Sequence, residues 1–195
     1  MLIKMKLHIY IFRHGKTYYN TPPKRFTGWK DSKLTPKGFG HARKVARKLK
    51  NQKFEVAYQT DLIRSKQTLK EVLKHHPGVK VITDKRMRER SYGKLAGRYH
   101  HALIKEIGEK QYKIWHRSYD VPPPGGESIK MVEKRVNSFI KDLLKKMKKE
   151  KVNVAISAHN NSMRPFRRYF EKLSIDAMMK LENPYDDYIQ YVLDL

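Results

Sequence analysis

Two histidines stand directly after short apolar runs. Leu7 to Phe12 leads into Arg13-His14-Gly15, and Val152 to Ser157 leads into Ala158-His159-Asn160-Asn161. If both runs are buried strands of one sheet, the histidines emerge at its carboxyl edge, where ligands of open α/β sheets collect. Arg64 opens a helix after a second strand, and Glu89 follows a third. Arg13, His14, Arg64 and His159 converging there would form a dense positive cluster. A phosphoryl group is its natural partner, because guanidinium binds such oxygens bidentately. One histidine can then act as nucleophile through a phosphohistidine. Glu89 can protonate the leaving oxygen. Protein cations would stabilise the transition-state charge, so no metal is required. Spacing alone leaves a second reading open, in which His14 and His159 are hydrogen-bonded residues at loop edges.

These positions depend on the elements that carry them. Strands are expected at Leu7–Phe12, Phe54–Tyr58, Val79–Ile82, Val152–Ser157 and Tyr188–Leu193. Thr35-Pro36 reads as an N-cap with proline at the first helical position, ahead of a face formed by Phe39, Ala42, Val45, Ala46 and Leu49. Thr60 or Asp61 is expected to cap a helix running to about His75. Arg98 to about Tyr119 reads as helical, in one or two pieces, and Pro122-Pro123-Pro124-Gly125-Gly126 breaks the chain. Ser128 then caps the strongest helix, whose apolar face is Val132, Val136, Phe139, Ile140, Leu143, Leu144 and Met147. Another helix is expected around Met163–Leu173. Strands alternating with helices give an α/β fold with a mainly parallel sheet.

The chain has 195 residues, a length that suits one domain spanning 1–195. It has no cysteine, which removes disulfides, thiolate metal sites and cysteine nucleophiles. The pairs His75-His76 and His100-His101 lack a partner at metal-ligand spacing, so no metal is expected. Lys and Arg number 44 against 19 Asp and Glu, a formal charge of +25 that attracts anions of any kind. The basic residues are spread over many helices without a nucleic-acid motif, so no specific nucleic-acid partner is expected. No apolar run approaches the ~20 residues of a membrane span. Met1 to Leu7 alternates lysine with apolar residues and lacks the small-residue cleavage site of a signal peptide. A soluble, cytoplasmic protein without a membrane partner is expected.

Six blocks now carry a resemblance. They are Tyr10-Ile11-Phe12-Arg13-His14-Gly15-Lys16-Thr17 with Asn20; Arg25-Phe26-Thr27-Gly28-Trp29 with Leu34-Thr35-Pro36-Lys37-Gly38; Arg64 with Gln67-Thr68; Arg88-Glu89-Arg90-Ser91-Tyr92-Gly93; Lys113 to Pro124; and Gly126-Glu127-Ser128 with Ala158 to Arg164. In this order they resemble the histidine phosphatase superfamily, and within it the 2,3-bisphosphoglycerate-dependent phosphoglycerate mutases. The resemblance implies a three-layer sandwich with the mainly parallel sheet flanked by helices. It implies His14 as the phosphorylated histidine, Glu89 as acid/base, and Arg13, Arg64 and His159 around the transferring phosphoryl group. Asn20, Thr27 and Gly28 would add hydrogen bonds. Arg90, Tyr92, His100, His116, Arg117, Asn160 and Asn161 would bind the rest of a phosphorylated small-molecule substrate. The primer implied is 2,3-bisphosphoglycerate, and a monomer is implied by the family's shorter members.

The sequence also departs from that family. His100 and His116 stand where lysine and arginine are usual, so part of the charge there would titrate near ~6.5. Asn160 replaces a glycine and is expected to need a left-handed backbone. Pro184-Tyr185-Asp186-Asp187 replaces a small, mostly apolar segment. The insertion usual before Gly-Glu-Ser is missing, and the chain stops at Leu195 with little of the tail found near the site mouth of longer mutases. A missing tail would admit water and turn a mutase into a phosphatase. Three readings follow: a mutase interconverting 3-phosphoglycerate and 2-phosphoglycerate, a phosphomonoester phosphatase with the same intermediate, and a non-catalytic nucleic-acid-binding protein.

Overall fold

A computed structural model of the chain describes residues 6–194. The N-terminal alternation read at Met1 to Met5 lies outside them. Five strands form one sheet: β1 Lys6–Arg13, β2 Val56–Gln59, β3 Lys80–Thr83, β4 Val154–Ala158 and β5 Tyr188–Asp194. Their order is β3-β2-β4-β1-β5, and only β5 runs antiparallel to its neighbour. The α-helices among the described residues are α1 Pro36–Leu49, α2 Ile63–Leu73, α3 His100–Arg117, α4 Ile129–Glu150, α5 Asn160–Glu171 and α6 Ile175–Lys180. This is the mainly parallel α/β fold expected from the alternation, in the three-layer arrangement of sheet between helices that the resemblance implies.

Strand alternation decides which helices cover which face. Ile9 and Ile11 of β1 point into a core with Val136, Phe139, Ile140 and Leu143 of α4 and Met163 and Phe166 of α5. Tyr10 and Phe12 point the other way, onto Val45, Ala46 and Leu49 of α1 and Leu69 and Val72 of α2. A third, smaller cluster of Phe26, Tyr92, Leu95 and Leu103 supports the loops beyond the sheet. No helix among the described residues is long and apolar enough to cross a membrane.

The caps hold in part. Thr35 accepts from the Gly38 N–H with Pro36 at the first helical position, and Ser128 accepts from the Met131 N–H. Neither Thr60 nor Asp61 caps α2. Leu62 is the N-cap residue, and the Ile63 N–H is satisfied instead by Asp31 Oδ1 at 2.8 Å from a distant loop. The α3 helix is broken at Gly108, whose φ of 76° and open surroundings make the two-piece reading correct. Asn160 does not take a left-handed backbone. It is the first residue of α5, and the positive-φ non-glycine residues among those described are Lys151 and Lys172. The short helix α6 carried no sequence expectation.

Candidate active site

Register brings the two histidines together. Arg13 of β1 is paired with Ala158 of the adjacent parallel strand β4, so both chains leave the sheet side by side. The His14 N–H then donates to Ala158 O at 3.0 Å, and the imidazole centres of His14 and His159 lie 5.0 Å apart. The turn after β1 packs against the start of α1 with no room for side chains. A Cβ on Gly15 would stand 2.2 Å from Gly38 O, and one on Gly38 would stand 2.0 Å from Lys16 O. Gly15 and Gly38, from two separate sequence blocks, are therefore one structural requirement.

The hydrogen bonds fix each imidazole's tautomer. His14 Nδ1 lies 2.8 Å from Gly15 O, which can only accept, so Nδ1 carries the hydrogen and Nε2 keeps its lone pair. Burial, then the nearby Arg64 and Arg13 cations, push the His14 pKa well below its ordinary value. His14 is therefore a neutral imidazole with a nucleophilic nitrogen. His159 Nδ1 accepts from Arg64 Nε at 3.3 Å, so Nε2 carries the hydrogen and donates to Thr60 Oγ1 at 2.9 Å. Burial followed by Arg64 and His14 likewise keeps His159 neutral.

Arg64 is 1% exposed. Its guanidinium donates to Gly28 O at 2.7 Å and Lys30 O at 3.0 Å, with no carboxylate hydrogen-bonded to it among the described residues. Burial pushes its pKa down to about 10, so it remains charged at neutral pH. Glu89 and Asp31 favour its charge without a direct ion pair; burying a cation without such a pair is costly, and a bound anion would offset that cost. Arg13 gives Nη1 to Asn183 O and Nη2 to the Tyr185 hydroxyl. Its Nε is buried with no partner among the described residues, a donor that an anionic oxygen would satisfy.

Glu89 accepts the N–H groups of Arg90 at 2.8 Å and Asn161 at 3.2 Å, both on Oε1. Oε2 has no protein partner among the described residues. The loop carrying Glu89 is held by its own carbonyl, which accepts from Trp29 Nε1 at 2.8 Å and from Arg135 of α4 at 3.0 Å. Arg135 also donates to Arg88 O and pairs with Glu127, which in turn accepts the Ser91 N–H. The Gly126-Glu127-Ser128 block thus ties the acid-bearing loop to α4.

A cavity of about 470 Å³ opens beside these groups, lined among others by Arg13, Asn20, Thr27, Gly28, Glu89, Tyr92, His100, His116, Arg117, Asn160 and Asn161. Arg90 is set apart from this lining. It is fully buried, and its Nε, Nη1 and Nη2 donate to the carbonyls of Glu127, His116 and Trp115. It braces the cavity wall from behind. His100 stacks on Phe26 at 3.9 Å and meets the Tyr112 hydroxyl at 2.7 Å, while His116 packs edge-on to Phe26. The expected titration near neutrality does not follow from these surroundings. Burial, then Arg117 and His100, lower the His116 pKa to about 3, and burial also lowers that of His100. Both face the cavity as neutral rings. Residues given no site role from the sequence also line it: Lys16, Tyr19, Lys24, Arg25, Arg164, Glu182 and Tyr185.

Donor atoms of His14, Glu89 and His159 lie within 4.8 Å of one another, close enough by distance to hold a metal ion. The chemistry of that set disfavours one. Both nitrogens of His159 are engaged, and two arginines crowd the position with positive charge.

A cationic pocket at the carboxyl edge of a mainly parallel α/β sheet, with a neutral histidine inside it, defines a protein built to act on anionic esters. The chain belongs to the histidine phosphatase superfamily (branch 1), whose model matches residues 9–191. A 2,3-bisphosphoglycerate-dependent phosphoglycerate mutase of Nitrobacter hamburgensis is 40% identical over 177 residues, covering 88% of this chain and 84% of that protein. A protein of the same name from Parvibaculum lavamentivorans is 37% identical over 189 residues, covering 94% and 89%. The fold is shared with a phosphoglycerate mutase from Bacillus anthracis, with a TM-score of 0.80, 24% identity and coverage of 98% and 89%. It is shared equally with a mycobacterial glucosyl-3-phosphoglycerate phosphatase, with a TM-score of 0.82, 22% identity and coverage of 96% and 90%.

Proposed function

We propose that the chain interconverts 3-phosphoglycerate and 2-phosphoglycerate through a phosphohistidine at His14, as a single cytoplasmic domain acting as a monomer. The observation that carries this reading is the neutral His14 imidazole, its Nδ1 locked to Gly15 O and its Nε2 left nucleophilic beside Arg13 and Arg64. The names of the 35–40% identical relatives support this substrate class.

The residues fit a bisphosphorylated primer. The unpartnered Arg13 Nε and the buried Arg64 guanidinium supply donors and charge for one phosphoryl group, and Arg117, Asn160 and Asn161 line the space beyond it. When bound, 2,3-bisphosphoglycerate would supply the phosphoryl group that loads His14. His14 Nε2 forms the new P–N bond as the ester P–O bond breaks, and Glu89 gives its proton to the departing hydroxyl oxygen. In the return step Glu89 takes the proton of the attacking substrate hydroxyl, and the P–N bond breaks. Arg13 and Arg64 hold the charge of the transferring group throughout, and the neutral His159 ring, accepting from Arg64 Nε, orients that guanidinium.

The test is a phosphorus NMR time course with 3-phosphoglycerate, with and without the bisphosphate. Conversion to 2-phosphoglycerate that depends on priming is expected. Free phosphate appearing without the isomer would overturn the mutase reading in favour of a phosphatase.

A further inference from the structure

Two positions that carry lysine and arginine in the resembling family are occupied here by His100 and His116. Burial, ahead of the neighbouring cations, holds both rings neutral. The cavity they face is not short of charge, because Arg25 lines it from the adjoining loop. That loop is laced to the start of α3. The Phe26 N–H donates to Arg98 O at 3.0 Å, the His100 N–H to Lys24 O at 3.1 Å, and the Arg25 N–H to Tyr19 O at 3.0 Å. The Arg25 side chain is held as firmly as its backbone. Its guanidinium carbon lies 4.1 Å from the centre of the Tyr99 ring and 5.1 Å from that of Tyr19, and Nη2 donates to the Tyr99 hydroxyl. No carboxylate pairs with it among the described residues, and Nε and Nη1 have no protein partner there.

We propose that Arg25 is a specificity-determining residue that binds the ligand's second anionic group, the carboxylate of a monophosphoglycerate or the second phosphate of the bisphosphate, an assignment that rests on reading the cavity as a phosphoglycerate site. A planar guanidinium matches both groups bidentately. Aromatic faces position it without using up its donors or cancelling its charge, so little side-chain freedom is lost when an anion arrives. The other arginines near the cavity are placed less well for this task. Arg164 lines it too, but its Nε, Nη1 and Nη2 already donate to Leu181 O, Asn161 Oδ1 and Glu182 Oε1. Arg90 is turned away onto three carbonyls. Arg117, with a side chain 57% exposed and its Nη1 3.9 Å from Glu182 Oε1, offers the same anion a more solvated and weaker contact.

The experiment compares two ligands that share a phosphate and differ at the distal carbon: 3-phosphoglycerate, with a carboxylate, and glycerol 3-phosphate, with a hydroxyl. Both are titrated by calorimetry into His14→Ala protein, which lacks the proposed nucleophile, with and without Arg25→Gln. Losing a charge-assisted contact should weaken 3-phosphoglycerate about 10-fold or more, while glycerol 3-phosphate loses about threefold or less through the longer-range field. Arg25→Lys keeps the charge without the fork and should fall between. It carries the same comparison, with the same signs, if Arg25→Gln proves unstable in a thermal melt. A guanidinium does not titrate between about pH 6.5 and 8, so the preference for 3-phosphoglycerate should hold across that range. Equal losses for the two ligands would make Arg25 a structural clamp on the loop before α3. An unchanged 3-phosphoglycerate affinity, or a preference that fades as pH rises, would place the distal anion on other groups. Each of these overturns the assignment. If neither ligand binds the His14→Ala parent, the phosphoglycerate reading itself fails and takes the assignment with it, an outcome distinct from the others.

Discussion

The Arg13 guanidinium carbon lies 3.9 Å from the centre of the Tyr185 ring, and its Nη2 donates to the Tyr185 hydroxyl at 2.9 Å. The same ring stands edge-on to His14 and stacks on His41 of α1 at 5.5 Å. Exposed ion pairs Lys44–Asp186 and Lys48–Asp187 clasp the flanking residues to α1. The segment Pro184 to Asp187, which replaces small apolar residues of the resembling family, thus forms a platform under the arginine beside the proposed nucleophile. Tyr185→Leu removes both ring and hydroxyl and should lower kcat/KM about 10- to 30-fold, the upper range for a desolvated cation–π contact. Tyr185→Phe keeps the ring and should cost only about 2- to 5-fold. Steady-state kinetics of both variants check this; an unimpaired Tyr185→Leu protein would mean that Arg13 is positioned without the ring.

His14→Ala should abolish turnover, by at least about 10³-fold, together with acid-labile phosphate incorporation from 2,3-bisphosphoglycerate. A general acid or a cation can be bypassed in part, but a covalent nucleophile cannot. Radiolabel retained on the variant after base-stable, acid-labile workup would move the intermediate to another residue, with His159 the nearest candidate at 5.0 Å between ring centres.

Glu89→Gln should slow transfer between alcohols and His14 about 10²- to 10⁴-fold while changing substrate affinity little. Glutamine preserves the acceptor for the Arg90 and Asn161 N–H groups but neither gives nor takes the proton. A nitrophenyl phosphate, whose leaving group needs little protonation, should lose much less. Rates measured on both ester types decide the matter, and equal losses would assign the proton transfer elsewhere.

Much of this architecture is legible before any coordinates. The β1 and β4 runs carry apolar residues on both faces because both faces of the sheet are covered, and α1 and α4 declare their buried faces by helical spacing. What stays hidden depends on chain segments meeting across the fold. Asp31 caps α2 from 32 residues away, so the local search for a cap settles on Thr60 or Asp61. Arg90 looks like a site cation in sequence, but the carbonyls that occupy it come from residues 115, 116 and 127. Arg135 lies outside the six blocks and carries no expectation from the sequence, although it holds the Glu89 loop. Arg164 ends the last of the six family-like blocks, yet only the meeting of α5 with Leu181 and Glu182 gives it a task. The helix α6, six residues long, is too short to carry a periodicity.

Acid should destabilise the fold through His116. His116 faces Arg117, Arg90 and Arg164 and packs against Phe26, His100, Tyr112 and Tyr92. Burial and then these cations lower its pKa to about 3 in the folded chain, against ~6.5 unfolded. For a base the sign is unambiguous: below ~6.5 the unfolded chain takes up a proton that the folded chain refuses, so acid favours unfolding. The stabilisation held at pH 7 is lost progressively as pH falls from ~6.5 toward 3, by about 1–2 kcal/mol for His116 at pH 5. His14 and His159, also held neutral by burial, act in the same direction. His116→Gln removes the titration while keeping a polar side chain. Chemical denaturation at pH 7.5 and pH 5.0 should therefore give a smaller drop for the variant than for the native chain. The same neutrality bears on ligand binding: between pH 6 and 8 the free His116 carries no charge to lose, so bisphosphate affinity there should follow ligand ionisation alone. Equal stability drops in the two proteins, or an affinity profile flattened by His116→Gln across pH 6 to 8, would mean that the ring titrates near its ordinary value and serves the cavity as a conditional cation.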